Sequence, residues 1–328
     1  MENVSIVIPA IKWEAFSEKC VTTCARLFPS ATLILVLDEC SPLALSFDNL
    51  IVLYGITGTI SKKRNVGVEA AKTEFIAFID SDAFPHSAWL SSAVKTLESK
   101  TNVGLLGGPN ISPLEQESER NLVGLACKSW LVAGKWNFYK SEKSTARYCD
   151  NLPSCNLVLR KEMYEALNGM SEQMEVGEDT DFCARLLASG FQIYFNPESI
   201  VYHFDRKIVP YMKQRIVRGA GVYLHIFGVS AQKKNIYTYI LLQPVATLLF
   251  FLSFPLAFYW QPWCYFMAIC VGIYALLILV ESLRWSISYR NIPLVALLIF
   301  VGNILPGVGF LLKGLRRLPS LQYFYRND

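Results

Sequence analysis

The sequence predicts an α/β domain on a mainly parallel sheet, followed by a membrane helical region. Three observations carry this. Short apolar runs alternate with helix-length segments through the first hundred residues, as strands and helices alternate around a parallel sheet. Several of these runs end on a proline or an aspartate, and α/β sheets bind ligands at such strand ends. Charged residues make up 18% of the 328, against about 25% in an ordinary soluble chain. The deficit is local: Ile236 to Leu312 holds only Glu281, Arg284 and Arg290. A purely soluble protein, a disordered chain and a pure membrane bundle are all excluded.

Val4–Ile8 opens the chain as a buried strand running into Pro9. Trp13 to Phe28 has helical spacing and is closed by Pro29. Thr32–Leu37 is a strand ending at Asp38, and Leu50–Tyr54 is another. Lys62–Ala71 reads as a helix, and Glu74–Ile79 as a strand ending at Asp80-Ser81-Asp82. Ser87 to Lys100 is helical and Val103–Leu106 extended. Leu114 to Tyr139 reads as a partly amphipathic helical stretch within the same domain. Cys155–Arg160 is a strand, Glu178–Ser189 a helix closed by Gly190, and Phe191–Phe195 and Ser199–Phe204 are short strands.

Charge divides the chain into three. Residues 1–205 carry 18 basic and 25 acidic residues. Residues 206–235 carry seven basic residues and no acid. Residues 236–328 carry six and two. The expected domains are therefore an α/β domain (1–205), a basic amphipathic interfacial helix (206–235) and a transmembrane or re-entrant region (236–328). A basic block before apolar spans faces the anionic cytoplasmic leaflet. An acidic first domain argues against nucleic acid as a partner. Nine scattered cysteines without metal spacing read as reduced thiols. The first apolar run is too short for a signal peptide, so the domain is expected on the cytoplasmic side of an inner membrane.

Three apolar stretches come next, at about 236–258, 264–281 and 292–312. Trp260-Gln261-Pro262-Trp263 is an aromatic turn at the far interface. The third stretch contains Pro306, Gly307 and Gly309, and a crossing would place Lys313, Arg316 and Arg317 outside. A re-entrant or interfacial hairpin is expected in preference to a full crossing.

The chemistry gathers at a few places. Asp80 and Asp82 leave a strand two residues apart. They suit Mg²⁺ or Mn²⁺, or else form a solvated turn or helix cap. Ser61-Lys62-Lys63-Arg64-Asn65 places cations at a helix start, suited to a diphosphate or to a solvated face. Glu178-Asp179 opens a helix, as a dipole-favoured cap or as a general base. His203 follows a strand and is either a metal ligand or a half-buried histidine satisfied by backbone. Val209, Met212 and Ile216 recur at helical spacing beside Arg215 and Arg218, as in a helix lying on a bilayer. The two arginines then suit phosphates.

Taken together, Ile6-Val7-Ile8-Pro9, Asp38, Lys63-Arg64-Asn65-Val66-Gly67, Phe78-Ile79-Asp80-Ser81-Asp82, Leu152-Pro153-Ser154-Cys155-Asn156-Leu157 and Gly177-Glu178-Asp179-x-Asp181 resemble glycosyltransferase family 2, of the GT-A fold, over roughly residues 1–225. The tail, with Gly307-Val308-Gly309-Phe310-Leu311-Leu312-Lys313-Gly314, is similar to that of bacterial membrane glycosyltransferases of the succinoglycan type. That resemblance implies Mn²⁺ or Mg²⁺, a nucleotide-sugar donor (UDP-sugar first) and a polyprenyl-diphosphate-linked acceptor. It implies that Pro9, Ala10 and Asp38 meet the base, that Arg64 and Asn65 lie near the nucleotide, and that Ser81 accompanies the acidic pair. Asp82 would ligate the metal, with Asp80 toward ribose or metal and His203 completing the site. Asp179 would be the base beside Glu178. Asn156 would lie near a sugar, or else be a strand-edge residue. Arg215 and Arg218 would meet the acceptor or a diphosphate.

No Trp follows Arg218 and the spans are few, so single-sugar addition is expected rather than polymerisation. The expected reaction is inverting transfer in polysaccharide assembly. The alternatives are a polyprenyl-phosphate monosaccharide synthase and a non-catalytic membrane partner of an assembly complex.

Overall fold

The computed structural model describes residues 3–40, 45–174, 176–227 and 242–315. The chain divides into two compact units. One comprises Met1–Leu114 and Tyr139–Phe204, the other Glu115–Phe138 and Asp205–Asp328. Residues 115–138, expected in the first domain, thus belong to the second.

The chain opens with β1 (Val4–Ala10), buried at every residue as a central parallel strand is. Next comes α1 (Ala15–Leu27), whose entry is fastened by the Glu14 N–H donating to Ser17 Oγ at 2.8 Å. β2 (Thr32–Leu37) and β3 (Leu50–Leu53) come after it. Then comes α2 (Ile60–Ala70), capped where Thr59 Oγ1 accepts the Lys62 N–H. β4 (Phe75–Ile79), β5 (Ala83–Pro85), α3 (Trp89–Ser99), β6 (Val103–Gly107) and β7 (Asn110–Ile111) continue the first unit. The second unit takes α4 (Ser118–Lys128) and α5 (Trp130–Ala133). The first unit resumes with β8 (Arg147–Cys149), β9 (Asn156–Arg160), α6 (Lys161–Ala166), α7 (Glu178–Ala188), β10 (Gln192–Phe195) and β11 (Val201–His203). The second unit holds α8 (Ile208–Phe227), α9 (Leu242–Ser253), α10 (Leu256–Tyr259), α11 (Gln261–Trp285) and α12 (Ile292–Gly314).

Eight strands form the main sheet, in the order β3-β2-β1-β4-β9-β6-β10-β8. β3, β2, β1 and β4 run parallel, as do β6 and β10. β9 runs antiparallel to β4 and β6, and β8 to β10. A small sheet has the order β5-β11-β7. The expected α/β class with a mainly parallel sheet is what the structure shows. One core face packs Ile6, Ile8, Leu33, Leu35, Ala77 and Trp89, all fully enclosed. Two antiparallel registers bring polar side chains to the strand ends: Ile79 pairs with Asn156, and His203 with Ala83.

The second unit is built on helices. α11 has 25 residues, and α12 with its lead-in has 26. Both are long and apolar enough to cross a membrane. Val123, Ala126 and Val132 pack with Tyr211, Val295 and Leu298. Glu281 is buried and accepts the Trp130 N–H and the Trp285 Nε1–H, each at 3.2 Å. These contacts are why residues 115–138 leave the first unit: their apolar face finds its partners on α8, α11 and α12.

The hairpin expected within 292–312 is corrected, because α12 is one continuous helix through Pro306. Proline has no N–H and orphans the carbonyl four residues back, here that of Gly302. Arg215 Nε donates to the Gly302 carbonyl at 2.7 Å, and Nη2 to the Val132 carbonyl at 3.5 Å. The orphaned group is satisfied from a neighbouring helix, so the chain need not turn. A Cβ on Gly219 would collide with the Pro306 carbonyl, and one on Gly309 with that of Ile216. Glycine at both places lets α8 and α12 approach this closely.

The interfacial face expected of 206–235 also changes. Tyr211, Arg215 and Val217 are buried, while Val209 is 60% exposed and Arg218 is exposed. Residues 236–241 of the first expected span lie outside the described residues, as do Lys233, Lys234, Arg316 and Arg317.

Candidate active site

Strand ends place the polar side chains of the first unit. At the end of β2 the Asp38 N–H donates to the Ile11 carbonyl at 3.2 Å, which ties this end to that of β1, where Pro9 and Ala10 are buried. Lys63 of α2 is buried and forms an ion pair with the Asp38 carboxylate. β4 delivers Asp80, Ser81 and Asp82 in the turn before β5.

The antiparallel pairing of Ile79 with Asn156 carries Cys155, one residue earlier, alongside Asp80. The pairing of His203 with Ala83 carries His203 alongside Asp82. His203 Nε2 lies 3.3 Å from Asp82 Oδ1 and 3.9 Å from Asp80 Oδ2. Its Nδ1 is 2.9 Å from the Phe204 carbonyl. A proton on Nδ1 satisfies that carbonyl and turns the Nε2 lone pair toward the carboxylates. One donor atom from each of Asp80, Cys155 and His203 lies within 4.8 Å of the other two.

Arg64 is the hub of the site. Its side chain is 1% exposed; Nη2 donates to Asp80 Oδ1 at 2.8 Å and Nη1 to Glu178 Oε1 at 3.0 Å. Its plane lies over the Phe78 ring, 5.9 Å from the centroid. Burial opposes the charge, but Asp80 and Glu178 outweigh it and raise the Arg64 pKa. Burial likewise opposes ionisation of Asp80, yet His203 and Arg64 prevail and lower it to about 2. Glu178 goes the other way: burial and the adjacent Asp179 carry it up to about 7 against Arg64. His203 is raised because Asp82 and Asp80 overcome the burial that would lower it.

Gly177, at φ 82°, adopts the left-handed conformation that starts α7 and brings Glu178 and Asp179 to its first turn. Ser154 Oγ lies 3.5 Å from Glu178 Oε1. Asp179 Oδ1 accepts the Thr180 N–H at 2.7 Å and the Thr180 hydroxyl at 3.3 Å. Its second oxygen has no hydrogen-bond partner among the described residues.

Four expected binding residues need correction. Arg64 is enclosed by two carboxylates, so its guanidinium positions Asp80 and Glu178 instead of facing open solvent. Asn65 is engaged with a loop: its Nδ2 donates to the Met170 carbonyl and to Glu172, while its Oδ1 accepts from the Tyr164 hydroxyl and the Met170 N–H. Asn156 is 1% exposed, accepts the Trp89 indole N–H at 2.8 Å, and donates to the Pro109 and Ser199 carbonyls. Both polar groups of its amide are engaged in the core. Arg215 is held by the Gly302 and Val132 carbonyls inside the helical unit.

Sequence reasoning missed Cys155 and Ser154 as site neighbours. The signal was present in their position, immediately before a strand whose partner ends at Asp80.

Carboxylate oxygens and an imidazole nitrogen converging at strand ends are a fitting donor set for a divalent cation. The model of glycosyl transferase family group 2 matches residues 75–303. A pre-mycofactocin glycosyltransferase of Mycobacterium tuberculosis (strain CDC 1551 / Oshkosh) is 33% identical over 143 residues, 44% of this chain and 29% of that protein. The chain thus spans less than a third of that relative's length. A Methanococcus voltae protein is 22% identical over 334 residues, 96% of this chain and 98% of its own. It is a dolichyl N-acetyl-alpha-D-glucosaminyl phosphate 3-beta-D-2,3-diacetamido-2,3-dideoxy-beta-D-glucuronosyltransferase. The crystal structure of GalNAc-T7 with UDP, GalNAc and Mn²⁺ is similar at a TM-score of 0.48 and 12% identity, over 62% of this chain and 44% of that one.

Proposed function

Because this chain belongs to glycosyl transferase family group 2, we propose that it moves one sugar from a nucleotide sugar to a saccharide already carried on a lipid phosphate, inverting the anomeric carbon. The observation that carries the site assignment is the Asp80–Arg64–Glu178 chain. It ties the acidic turn after β4 to the first turn of α7, where Asp179 stands. The apolar helices α11 and α12 support a lipid-borne acceptor met at the cytoplasmic face of the membrane. The lipid-phosphate sugar in the name of the Methanococcus voltae relative supports an acceptor that already bears a sugar over bare polyprenyl phosphate.

The residues divide the work. Pro9, Ala10 and Asp38 line the base of the donor, a uridine diphosphate sugar. Asp82, Asp80 and His203 would hold Mg²⁺ or Mn²⁺. A divalent cation there would supply charge stabilisation to the departing nucleoside diphosphate. Asp179, with one oxygen held by Thr180, takes the proton of the acceptor hydroxyl through the other. The acceptor oxygen bonds to the anomeric carbon as the bond to the diphosphate breaks, so one carboxylate base suffices. Arg64 keeps Asp80 ionised and in place. Arg218, exposed on α8, meets the phosphate of the lipid carrier.

The test is transfer by the full chain in detergent, with labelled UDP-sugars and lipid-linked acceptors. Asp179→Asn should lower transfer by about 10²–10⁴-fold and leave metal-dependent nucleotide binding intact. Wild-type rates in that variant would sink the base assignment. Transfer to bare polyprenyl phosphate alone would favour the monosaccharide-synthase reading.

A further inference from the structure

The cation site contains a donor of a different kind from its neighbours. Cys155 is half-buried, and its sulfur lies within 4.8 Å of both an Asp80 oxygen and a His203 nitrogen. The other sides of those two groups are occupied. Asp80 Oδ1 is bound by Arg64, which leaves Oδ2 toward His203, and His203 Nδ1 faces the Phe204 carbonyl. Two donors held tetrahedrally at about 2.0–2.3 Å from one ion stand roughly 3.3–3.8 Å apart. Asp80 Oδ2 and His203 Nε2, at 3.9 Å, stand near that spacing, and the Cys155 sulfur lies within 4.8 Å of a donor atom on each. Backbone register puts the sulfur there, since Cys155 directly precedes the residue paired with Ile79. Cys20 also lies close, but it is fully enclosed and its thiol points to the Asp80 carbonyl at 3.6 Å.

Oxygen ligands alone suit Mg²⁺ and Mn²⁺, while a thiolate beside an imidazole and a carboxylate selects thiophilic ions. We propose that Cys155 is a sulfur ligand of the cation site formed with Asp80 and His203, and that it lets this site also take Zn²⁺, Co²⁺ and Cd²⁺, beside the Mg²⁺ or Mn²⁺ that its oxygens suit. On binding, the sulfur–metal bond forms and the thiol proton leaves to solvent, with no change of oxidation state. The inference rests on the glycosyltransferase reading only in placing a cation at this turn.

The experiment is a Co²⁺ titration of the full chain in detergent, followed by its absorption spectrum, without donor or acceptor. The expected result is a sulfur-to-cobalt charge-transfer band in the near ultraviolet. Cys155→Ser should remove it, weaken Co²⁺ and Cd²⁺ binding by more than about tenfold and leave Mg²⁺ binding unchanged. A wild-type spectrum without that band, or one that persists in the variant, overturns the proposal. A second readout needs no variant. Zn²⁺ or Cd²⁺ should protect Cys155 from iodoacetamide, read by peptide mapping, whereas Mg²⁺ should not. Equal protection by Mg²⁺ means shielding without coordination and also overturns it. Sugar transfer assayed in parallel separates the two readings. Transfer without a sulfur band leaves the enzyme reading standing alone, and a sulfur band without transfer does the reverse.

Discussion

Each unit of this protein buries an arginine, and the two are compensated in opposite ways. Arg64, in the α/β unit, lies between the carboxylates of Asp80 and Glu178. Arg215, in the helical unit, is held by the carbonyls of Gly302 and Val132. The first is a cation shared between two acidic side chains. The second is a cation answering a helix carbonyl that Pro306 leaves without a donor. A buried guanidinium therefore does not by itself mark a ligand site; what it faces decides its role. Arg64 faces two carboxylates at the candidate site, and Arg215 faces backbone that must be satisfied for α12 to continue.

The contrast between the two is broken most severely at Arg64. Arg64→Met should leave the buried Glu178 and half-buried Asp80 carboxylates without their cation and cost about 3–5 kcal/mol of stability, measured by denaturant unfolding of the full chain. Arg64→Lys should recover only part of that, because an ammonium cannot reach both carboxylates in a fixed fork. Full stability in Arg64→Met would show that the network is not coupled as its geometry requires. Loss at Asn156 comes next. Asn156→Leu strands the Trp89 N–H and two carbonyls, at a cost of about 1–3 kcal/mol for each group left unsatisfied.

Arg215→Met should cost less than Arg64→Met, about 1–3 kcal/mol for an unpaired buried carbonyl. Pro306→Ala restores an intrahelical donor to Gly302. In that background the cost of Arg215→Met should shrink, and the double-mutant cycle reads the coupling directly. Additive effects would mean that Arg215 serves some other partner.

The smallest effect is a pH slope confined to the α/β unit. The folded pKa of Glu178, about 7, lies above its ordinary carboxylate value. Its contribution to stability is therefore full below about pH 4.5 and is lost as pH rises through about 7. His203 is raised as well and acts in the same direction at higher pH. With EDTA present, the melting temperature of the wild type should fall from pH 5 to 8. Glu178→Gln should flatten the acid part of that fall and leave the His203 part. An unchanged profile would mean that Glu178 is ionised throughout.

The features legible in the sequence arise from local rules. The alternation of apolar runs and helical segments specified an α/β unit, because each element's pattern reports the face it buries. The apolar content of residues 264–281 and 292–312 marked both as membrane-type segments, and helices of membrane length cover them, the second as one helix where its proline and glycines read as a hairpin. Asp80 and Asp82 at a strand end, and Glu178 and Asp179 at a helix start, were legible for the same reason: their positions are properties of a few consecutive residues.

Other features came only from pairings across long stretches of chain. The register of β9 on β4 set Cys155 beside Asp80 and turned Asn156 into the core. Packing of 115–138 on the apolar helices moved that stretch out of the unit its sequence neighbours belong to. Pro306 announced a break in α12, and it took the guanidinium of Arg215, 87 residues away in the chain from the orphaned Gly302 carbonyl, to supply the missing donor. Local sequence determines which groups need partners, but only the tertiary structure decides which partners they find, because those partners lie far away in the chain and are chosen by packing.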